Sequence, residues 1–322
     1  MPIHTRFAPS PTGRLHLGHA FSAIQAHDFA RSQSGRFSLR IEDIDGTRSR
    51  PEHVEAILRD LEWLGLTWDG EVTLQSQRLH RYEAALDRLR AMGLLYPCTC
   101  TRADIAASLS APHGHEGAVY PGLCRERSDA DLTQPHSWRL DVDRALKILP
   151  ELCSGGTAAE SGGGGAGEAG ATAPPLHPSL RERSPSPSKL REDLWWHDAF
   201  AGWVRADPHS HGDVILARKD APASYHLAVT LDDAAQGITH VVRGQDLFEA
   251  THVHRLLQAL LGLPTPEYRH HHLLVGPDGQ RLAKRHGAPS LESLRLAGED
   301  GRALADRLRA GLLPVGFAAA KA

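Results

Sequence analysis

A parallel β-sheet wound with α-helices is the fold class this sequence predicts, and three observations predict it. Strand and helix periodicities alternate through the first hundred residues, the pattern breaks at Pro97, and it resumes from Asp213 with a long apolar helix near its end. Sheets of this kind bind ligands beyond the carboxyl ends of their strands.

Ile3 to Ala8 reads as a short buried strand, broken by Pro9, Pro11 and Gly13. Leu17, Ala20, Phe21 and Ile24 then fall at i, i+3, i+4 and i+7, which predicts a helix stopped at Gly35. "FSLRIED" alternates, with Phe37, Leu39 and Ile41 on one face and Arg40 and Glu42 on the other, as a half-buried strand ending in carboxylates. Pro51 opens a second helix carrying Val54, Ile57, Leu58, Leu61 and Leu64 to a stop at Gly65. A third carries Leu79, Tyr82, Leu86 and Leu89 to Gly93.

Between Pro97 and Tyr225 the periodic pattern is lost. Cys153 to Lys189 is so rich in Gly, Ala, Ser and Pro that it reads as a disordered insertion. Its literal G-x-G-x-x-G, Gly165 to Gly170, has no strand before it and no apolar helix after it, so it is compositional and marks no dinucleotide site. Beyond it, "DVILAR", "YHLAVTLDD" and "ITHVVRGQDL" read as strands or their loop ends. Val253, Leu256, Leu257, Leu260 and Leu261 mark a helix, and "HHHLLVGPDG" reads as a last strand turning at Pro277 to Gly279 into "RLAKRHG". The 37 residues after Arg285 suffice for a short helical appendage.

A formal charge of -3 and a pI near 6.7 exclude a global positive field, so contact with nucleic acid would need local basic patches. No N-terminal apolar run or bilayer-length stretch is present, which predicts a soluble cytoplasmic protein without membrane association. Four cysteines in 322 residues make no disulfide framework. The pair in "CTC" suits a metal or reduced thiols better.

Chemistry concentrates in two loops. "RFAPSPTGRLHLGH", Arg6 to His19, puts His16 and His19 at a helix N-terminus, where backbone N–H groups and the helix dipole favour anions and two imidazoles add donors. The plain alternative is a pair of histidines that only caps and packs. No G-x-x-x-x-G-K-[ST] loop exists, so triphosphate binding needs another solution. Lys284 in "RLAKRHG" could close over phosphates, although such a loop standing alone is a solvated basic surface.

With the H-x-G-H loop at one end and this basic loop at the other, the chain resembles the class I aminoacyl-tRNA synthetases of the glutamate group. "RIEDIDGTR", "YHLAVTLDD", "VVRGQDL" and "RLAKR" follow in that family's order, over most of residues 1 to 150 and 190 to 290. The resemblance implies a Rossmann-like catalytic domain in two halves, 1–96 and 191–289. They would be separated by a zinc-binding insertion at 97–150 and the Gly-rich insertion at 151–190, with a helical appendage at 290–322. It implies ATP with magnesium as substrate, bound by Pro9, His16, Gly18, His19 and Lys284, with His16, His19 and Lys284 as the catalytic groups.

An amino acid with two carboxylates and one ammonium needs two cations and one anion, which Arg6, Arg243 and Glu42 can supply. The alternative for Glu42 and Arg243 is a structural ion pair at strand ends. The resemblance adds Phe7, Ala8, Pro9, Ser10 and Tyr225 to an L-glutamate site, and Ser10 matches the glutamate rather than the glutamine enzymes. Arg281, Ala283 and Arg285 depart from the family's KMSKS pattern, of which Lys284 keeps the second lysine.

Cys98, Cys100 and Cys124 offer three soft ligands, and a zinc needs a fourth. Ligand statistics favour His113 or His115, whereas the resemblance implies Tyr120 and one zinc per chain. The remaining histidines, His270 to His272 among them, read as surface or packing residues.

The short C-terminal remainder, the cysteine pattern and Val229 resemble the short branch of the group. That branch implies glutamate activation without tRNA and transfer to queuosine in the anticodon loop of tRNA(Asp). Rival expectations are a truncated synthetase charging a tRNA 3′ end, a small-molecule H-x-G-H nucleotidyltransferase, and an inactive RNA-binding paralogue.

Overall fold

A computed structural model of the chain describes residues 2–101, 104–105, 119–127, 131–154, 194–275, 289–312 and 318–319. In chain order the strands are β1 (His4–Phe7), β2 (Arg36–Ile41), β3 (Thr73–Leu74), β4 (Leu95–Cys98), β5 (Ser137–Leu140), β6 (Trp195–Asp198), β7 (Gly202–Arg205), β8 (Ile215–Ala217), β9 (His240–Gly244), β10 (Glu267–His271), β11 (Leu274–Val275) and β12 (Ala318–Ala319). The helices are α1 (Leu17–Ser32), α2 (Pro51–Trp63), α3 (Leu79–Ala91), α4 (Val142–Ser154), α5 (Tyr225–Ala235), α6 (Ala250–Leu261), α7 (Leu291–Leu296) and α8 (Gly301–Arg309).

The first half is a parallel sheet, β1-β2-β3, wound with α1 and α2. The second half runs β7-β6-β10-β9, parallel except for β7 at its edge. Thr239 N–H donates to the His4 carbonyl at 3.0 Å just before β9, which lays the two halves side by side. Their carboxyl ends, where Phe7, Ile41 and Gly244 stand, therefore face one region. An antiparallel sheet, β4-β5-β8, carries the cysteines. No helix among the described residues is long and apolar enough to cross a membrane.

One core lies between α1, β2 and α2, with Ile24, Phe37, Leu39 and Leu61 fully buried, and Leu304 and Leu308 of α8 close it. Burying each such side chain contributes about 1.5–3 kcal/mol. A second core joins α3, α5 and α6 through Tyr82, Leu227, Leu256 and Leu257.

Four expectations are corrected. "YHLAVTLDD" is not a strand but helix α5, capped by Ser224, whose hydroxyl accepts from Leu227 N–H. Leu227, Ala228, Val229, Thr230, Asp232 and Asp233 are all buried, and a helix covered on several sides leaves no 3.6-residue period in its sequence. The strand "FSLRIED" is buried on both faces, because Ser38 and Arg40 turn into hydrogen bonds with His4 and Asp233.

Helix α1 ends at Ser32, and Ser34, not Gly35, takes the left-handed conformation with φ of 51°. Gly35 serves another need: a Cβ there would lie 2.5 Å from the Ile3 carbonyl oxygen. Finally, α4 continues through Cys153 to Ser154, and residues 155–193 lie outside the described residues. So do the turn at Pro277 to Gly279 and the whole basic loop from Arg281 to Gly287.

The chain re-emerges from that loop against the histidine loop. Ser290 bridges His16, Leu291 N–H donates to the Leu15 carbonyl at 2.9 Å, and Arg14 pairs with Glu292 at 2.9 Å. Residues 290–292 therefore lie against the histidine loop.

Candidate active site and metal centre

His16 is the N-cap of α1. Its Nδ1 accepts from Gly18 N–H at 3.1 Å, and His19 Nδ1 accepts from His16 N–H at 3.2 Å, a reciprocal capping box made of two imidazoles. Capping does not compete with anion binding here. Because both Nδ1 atoms accept, each neutral ring carries its proton on Nε2, so the cap fixes both rings as donors at a positive helix end. The rings lie 3.8 Å apart. Gly18 is needed between them, since a Cβ there would come within 3.0 Å of the His16 ring. Thr12, Gly13, Arg14, His16, His53 and Ser290 line a cavity of about 340 Å³ beside this loop. Lys284 lies outside the described residues.

Behind the loop, the Pro9 carbonyl accepts Glu42 N–H at 3.0 Å and ties the end of β2 to the turn after β1. Phe7 and Pro9 are buried there, Ala8 is half-buried and Ser10 is exposed. Arg6 grips Asp233 through Nε at 2.9 Å and Nη2 at 3.1 Å. Arg40, fully buried, donates to the same Asp233 at 2.7 Å and to Glu42 at 3.3 Å. Two cations and two anions thus balance. Burial works against the Asp233 carboxylate, but Arg6 and Arg40 outweigh it and hold its pKa at about 2. Glu42 has the weaker pairing, and burial raises its pKa above the usual range. Arg6 is therefore largely committed to Asp233, with Nη1 its remaining nitrogen, and Glu42 pairs with Arg40 rather than with Arg243.

Arg243, at the end of β9 and 5% exposed, is different. Its Nε donates to His270, Nη1 faces Tyr225 Oη at 3.2 Å and His254 Nδ1 at 3.4 Å, and Nη2 donates to the Leu247 carbonyl and to Thr251 Oγ1. Every partner is neutral, and no described carboxylate lies within ion-pair distance of it. Since Tyr225 Oη accepts from Arg243, its own hydrogen points elsewhere. Tyr225 is 36% exposed and stands within electrostatic reach of Arg243, Glu42, Arg6 and Asp233.

His270 and His271 are not surface residues: they are 4% and 7% exposed, and His270 holds Arg243. Asp233, Arg40, Thr251 and His254 are further members of the site that the sequence motifs did not identify. An Arg two positions before the Glu on the same strand was the one available signal.

In the antiparallel lobe, the sulfurs of Cys98, Cys100 and Cys124 all lie within 4.8 Å of one another, with Cys100 and Cys124 at 3.4 Å. Tyr120 Oη is 3.5 Å from Cys98 Sγ and 3.7 Å from Cys100 Sγ. A tetrahedral ion with metal–sulfur bonds of about 2.3 Å needs sulfurs about 3.8 Å apart, so this donor set fits a metal. Burial pushes the Cys100 thiol up to about 11; hydrogen bonds from Tyr120 and Cys100 overcome burial at Cys124 and hold it at about 7. His113 and His115 lie outside the described residues.

Comparison with known proteins accords with this geometry. A family model described as the catalytic domain of class I tRNA synthetases (E and Q) matches residues 2–131 and 174–320. A glutamyl-Q tRNA(Asp) synthetase of Rhodobacter capsulatus is 47% identical, covering 91% of this chain and 95% of its own length. One from Symbiobacterium thermophilum is 43% identical, covering 91% and 81%. A solved glutamate tRNA ligase of Elizabethkingia meningosepticum, in complex with its amino acid, superposes with a TM-score of 0.56 at 24% identity. That match covers 89% of this chain but about half, 53%, of the ligase, and it bears on the fold alone.

Proposed function

The chain belongs to the class I tRNA synthetase family of glutamate and glutamine enzymes, and on that premise we propose that it activates L-glutamate with ATP and passes it to queuosine in tRNA(Asp). The observation that carries the reading is Arg243. A buried guanidinium whose donors all end on neutral groups is a standing positive charge, and the chemistry it awaits is a carboxylate. Tyr225 O–H would meet that carboxylate, and Nη1 would join it by turning the N–H that now faces Tyr225 Oη to the ligand. Arg6 Nη1 would reach the second carboxylate, and Glu42, placed by Pro9, would take the ammonium beside Phe7, Ala8 and Ser10.

In this reading the glutamate α-carboxylate attacks the α-phosphorus of ATP in line, an O–P bond forms, and pyrophosphate leaves with its bridging oxygen. A hydroxyl of the acceptor then attacks the activated carbonyl and AMP departs. His16 and His19 Nε2–H groups would meet the charge shed on the phosphates, with Pro9 and Gly18 shaping the loop, and Lys284 and magnesium would add charge from the other side. Cys98, Cys100, Cys124 and Tyr120 would hold one zinc, which crosslinks the lobe and takes no part in the chemistry. The setting would be the cytoplasm.

His19→Ala is expected to lower glutamate-dependent ATP–pyrophosphate exchange by at least about tenfold, the cost of one donor aimed at transition-state charge. Unchanged exchange would remove His19 from the phosphate site. The function itself is tested by exchange over a panel of amino acids without tRNA, followed by transfer of labelled glutamate. Exchange specific to glutamate, and transfer to tRNA(Asp) carrying queuosine but not to the same tRNA lacking it, are expected. Charging of the 3′ end of tRNA(Glu) would overturn the assignment.

A further inference from the structure

Arg243 is oriented by two hydrogen-bonded chains that run away from the pocket. An arginine only donates, so the atoms that face it, His270 Nε2 at 3.0 Å and His254 Nδ1 at 3.4 Å, must be bare nitrogens. The proton of His270 is then on Nδ1 and goes to Asp198 Oδ2 at 2.8 Å. Asp198 is itself pinned by the N–H groups of Phe200, Ala201 and His270. The proton of His254 is on Nε2 and goes to His226 Nδ1 at 3.2 Å. His254 and His270 are 3% and 4% exposed, so neither ring can turn to water. Burial lowers the pKa of both, and Arg243 lowers each further.

Building on the proposed assignment of Arg243 to a substrate carboxylate, and taking that carboxylate as the side chain's, we infer that His254 and His270 are positioning residues that set the preference for an acidic over an amide side chain. They fix the guanidinium plane without neutralising it. Carboxylates in their places would hold Arg243 equally firmly, but they would cancel its charge, and a neutral glutamine would then bind almost as well as glutamate. Two neutral imidazoles, each with its tautomer set by a second partner, satisfy the donors and leave the charge for the ligand. Thr251 Oγ1 at 2.6 Å and the Leu247 carbonyl at 3.0 Å complete the cradle with neutral oxygens.

The test measures ATP–pyrophosphate exchange of the full chain, with glutamate and glutamine each varied, for wild type and three variants of His254. His254→Leu removes the acceptor and is expected to raise the KM for glutamate at least about tenfold while leaving the KM for ATP within about twofold. His254→Asn places an acceptor oxygen near the lost nitrogen and is expected to restore glutamate KM to within about threefold of wild type. His254→Glu gives Arg243 a charged partner and is expected to shrink the glutamate-to-glutamine ratio of kcat/KM at least about tenfold.

An unchanged glutamate KM in the leucine variant, or an unchanged preference in the glutamate variant, would overturn the inference. Should the leucine variant fail to fold, the glutamate variant decides, because its new ion pair offsets the loss. Failure of the wild type to activate glutamate at all would instead strike the proposed function, so the two failures are distinguishable.

Discussion

Replacing Cys98 and Cys100 together with alanine is expected to strip one zinc from each chain and to lower the melting temperature by at least about 6 °C, equivalent to roughly 4 kcal/mol at this size. The reason is the poverty of the lobe's own core. Among the described residues, the cluster around the cysteines holds Tyr96, Cys98, Tyr120 and Cys124, with Cys100 and Ile105 partly buried beside them, while Leu140 and Leu216 of the same sheet pack into the second core. So small a cluster gains little from burial and much from a crosslink.

A metal bound by Cys98 at the end of β4, Cys100 just beyond it, and Tyr120 and Cys124 on the opposite segment would tie two stretches of chain about twenty residues apart. The same segment also meets the body of the protein where Tyr120 bridges Gly212, where Arg139 lies over the Tyr120 ring at 3.7 Å, and where Arg125 meets Asp213 at 2.8 Å and Asp143 at 2.5 Å. Losing the metal leaves three thiols and a phenol facing one another without the charge that gathers them. Elemental analysis and thermal melting of both proteins check this. A wild type that is free of metal, or a double variant that melts with it, would sink the structural zinc.

Local features of this molecule were legible in the sequence and distant ones were not. The histidine loop could be read because a cap, a helix start and a glycine between two rings are matters of neighbouring residues. The resemblance assembled Arg6, Glu42, Tyr225 and Arg243, and in the structure Tyr225 stands within electrostatic reach of the other three. What the residues could not reveal is who answers whom. Arg6 and Asp233 are 227 positions apart, and their pairing turns Arg6 from an open carboxylate receptor into a half-occupied one. The helix from Tyr225 to Ala235 was hidden for a related reason. Its buried aspartates face arginines and a tyrosine of other elements, Asp232 taking bonds from Arg78 and Tyr82 and Asp233 from Arg6 and Arg40, so polarity marks no outer face. His254 and His270 were passed over because a histidine carries no pattern that separates a surface ring from a buried one.

Lowering the pH from 7.5 to 5.5 is expected to destabilise the protein steeply, with a fall in melting temperature of more than about 10 °C, from the number of histidines it buries in the neutral form. Eight of them, His4, His211, His226, His240, His252, His254, His270 and His271, have pKa values lowered first of all by burial, that of His226 to about 4. In the unfolded chain each would titrate near 6.5. The unfolded state therefore binds more protons than the folded state below that value, and stability falls with pH. The contribution is complete above about pH 6.5 and is lost progressively as the pH drops toward the folded values.

His254, His270 and His271 are all 7% exposed or less, and each ring that stays neutral in the fold costs about 1.4 kcal/mol per pH unit once its unfolded counterpart is charged. Against a total stability of about 5–15 kcal/mol, several such rings are a large fraction. Two groups oppose it: burial raises the pKa of Glu42 and of Asp60, so each takes up its proton more readily in the fold and gains stability as pH falls. Two cannot outweigh eight. Asp28, Asp198 and Asp233, held at about 2 by their partners, lose their contribution only at lower pH, beyond the histidine window. Circular dichroism melts between pH 7.5 and 5.0 decide the matter. A melting temperature that stays level or rises toward pH 5.5 would show that these imidazoles are hydrated in the folded protein and that the cradle around Arg243 is open to water.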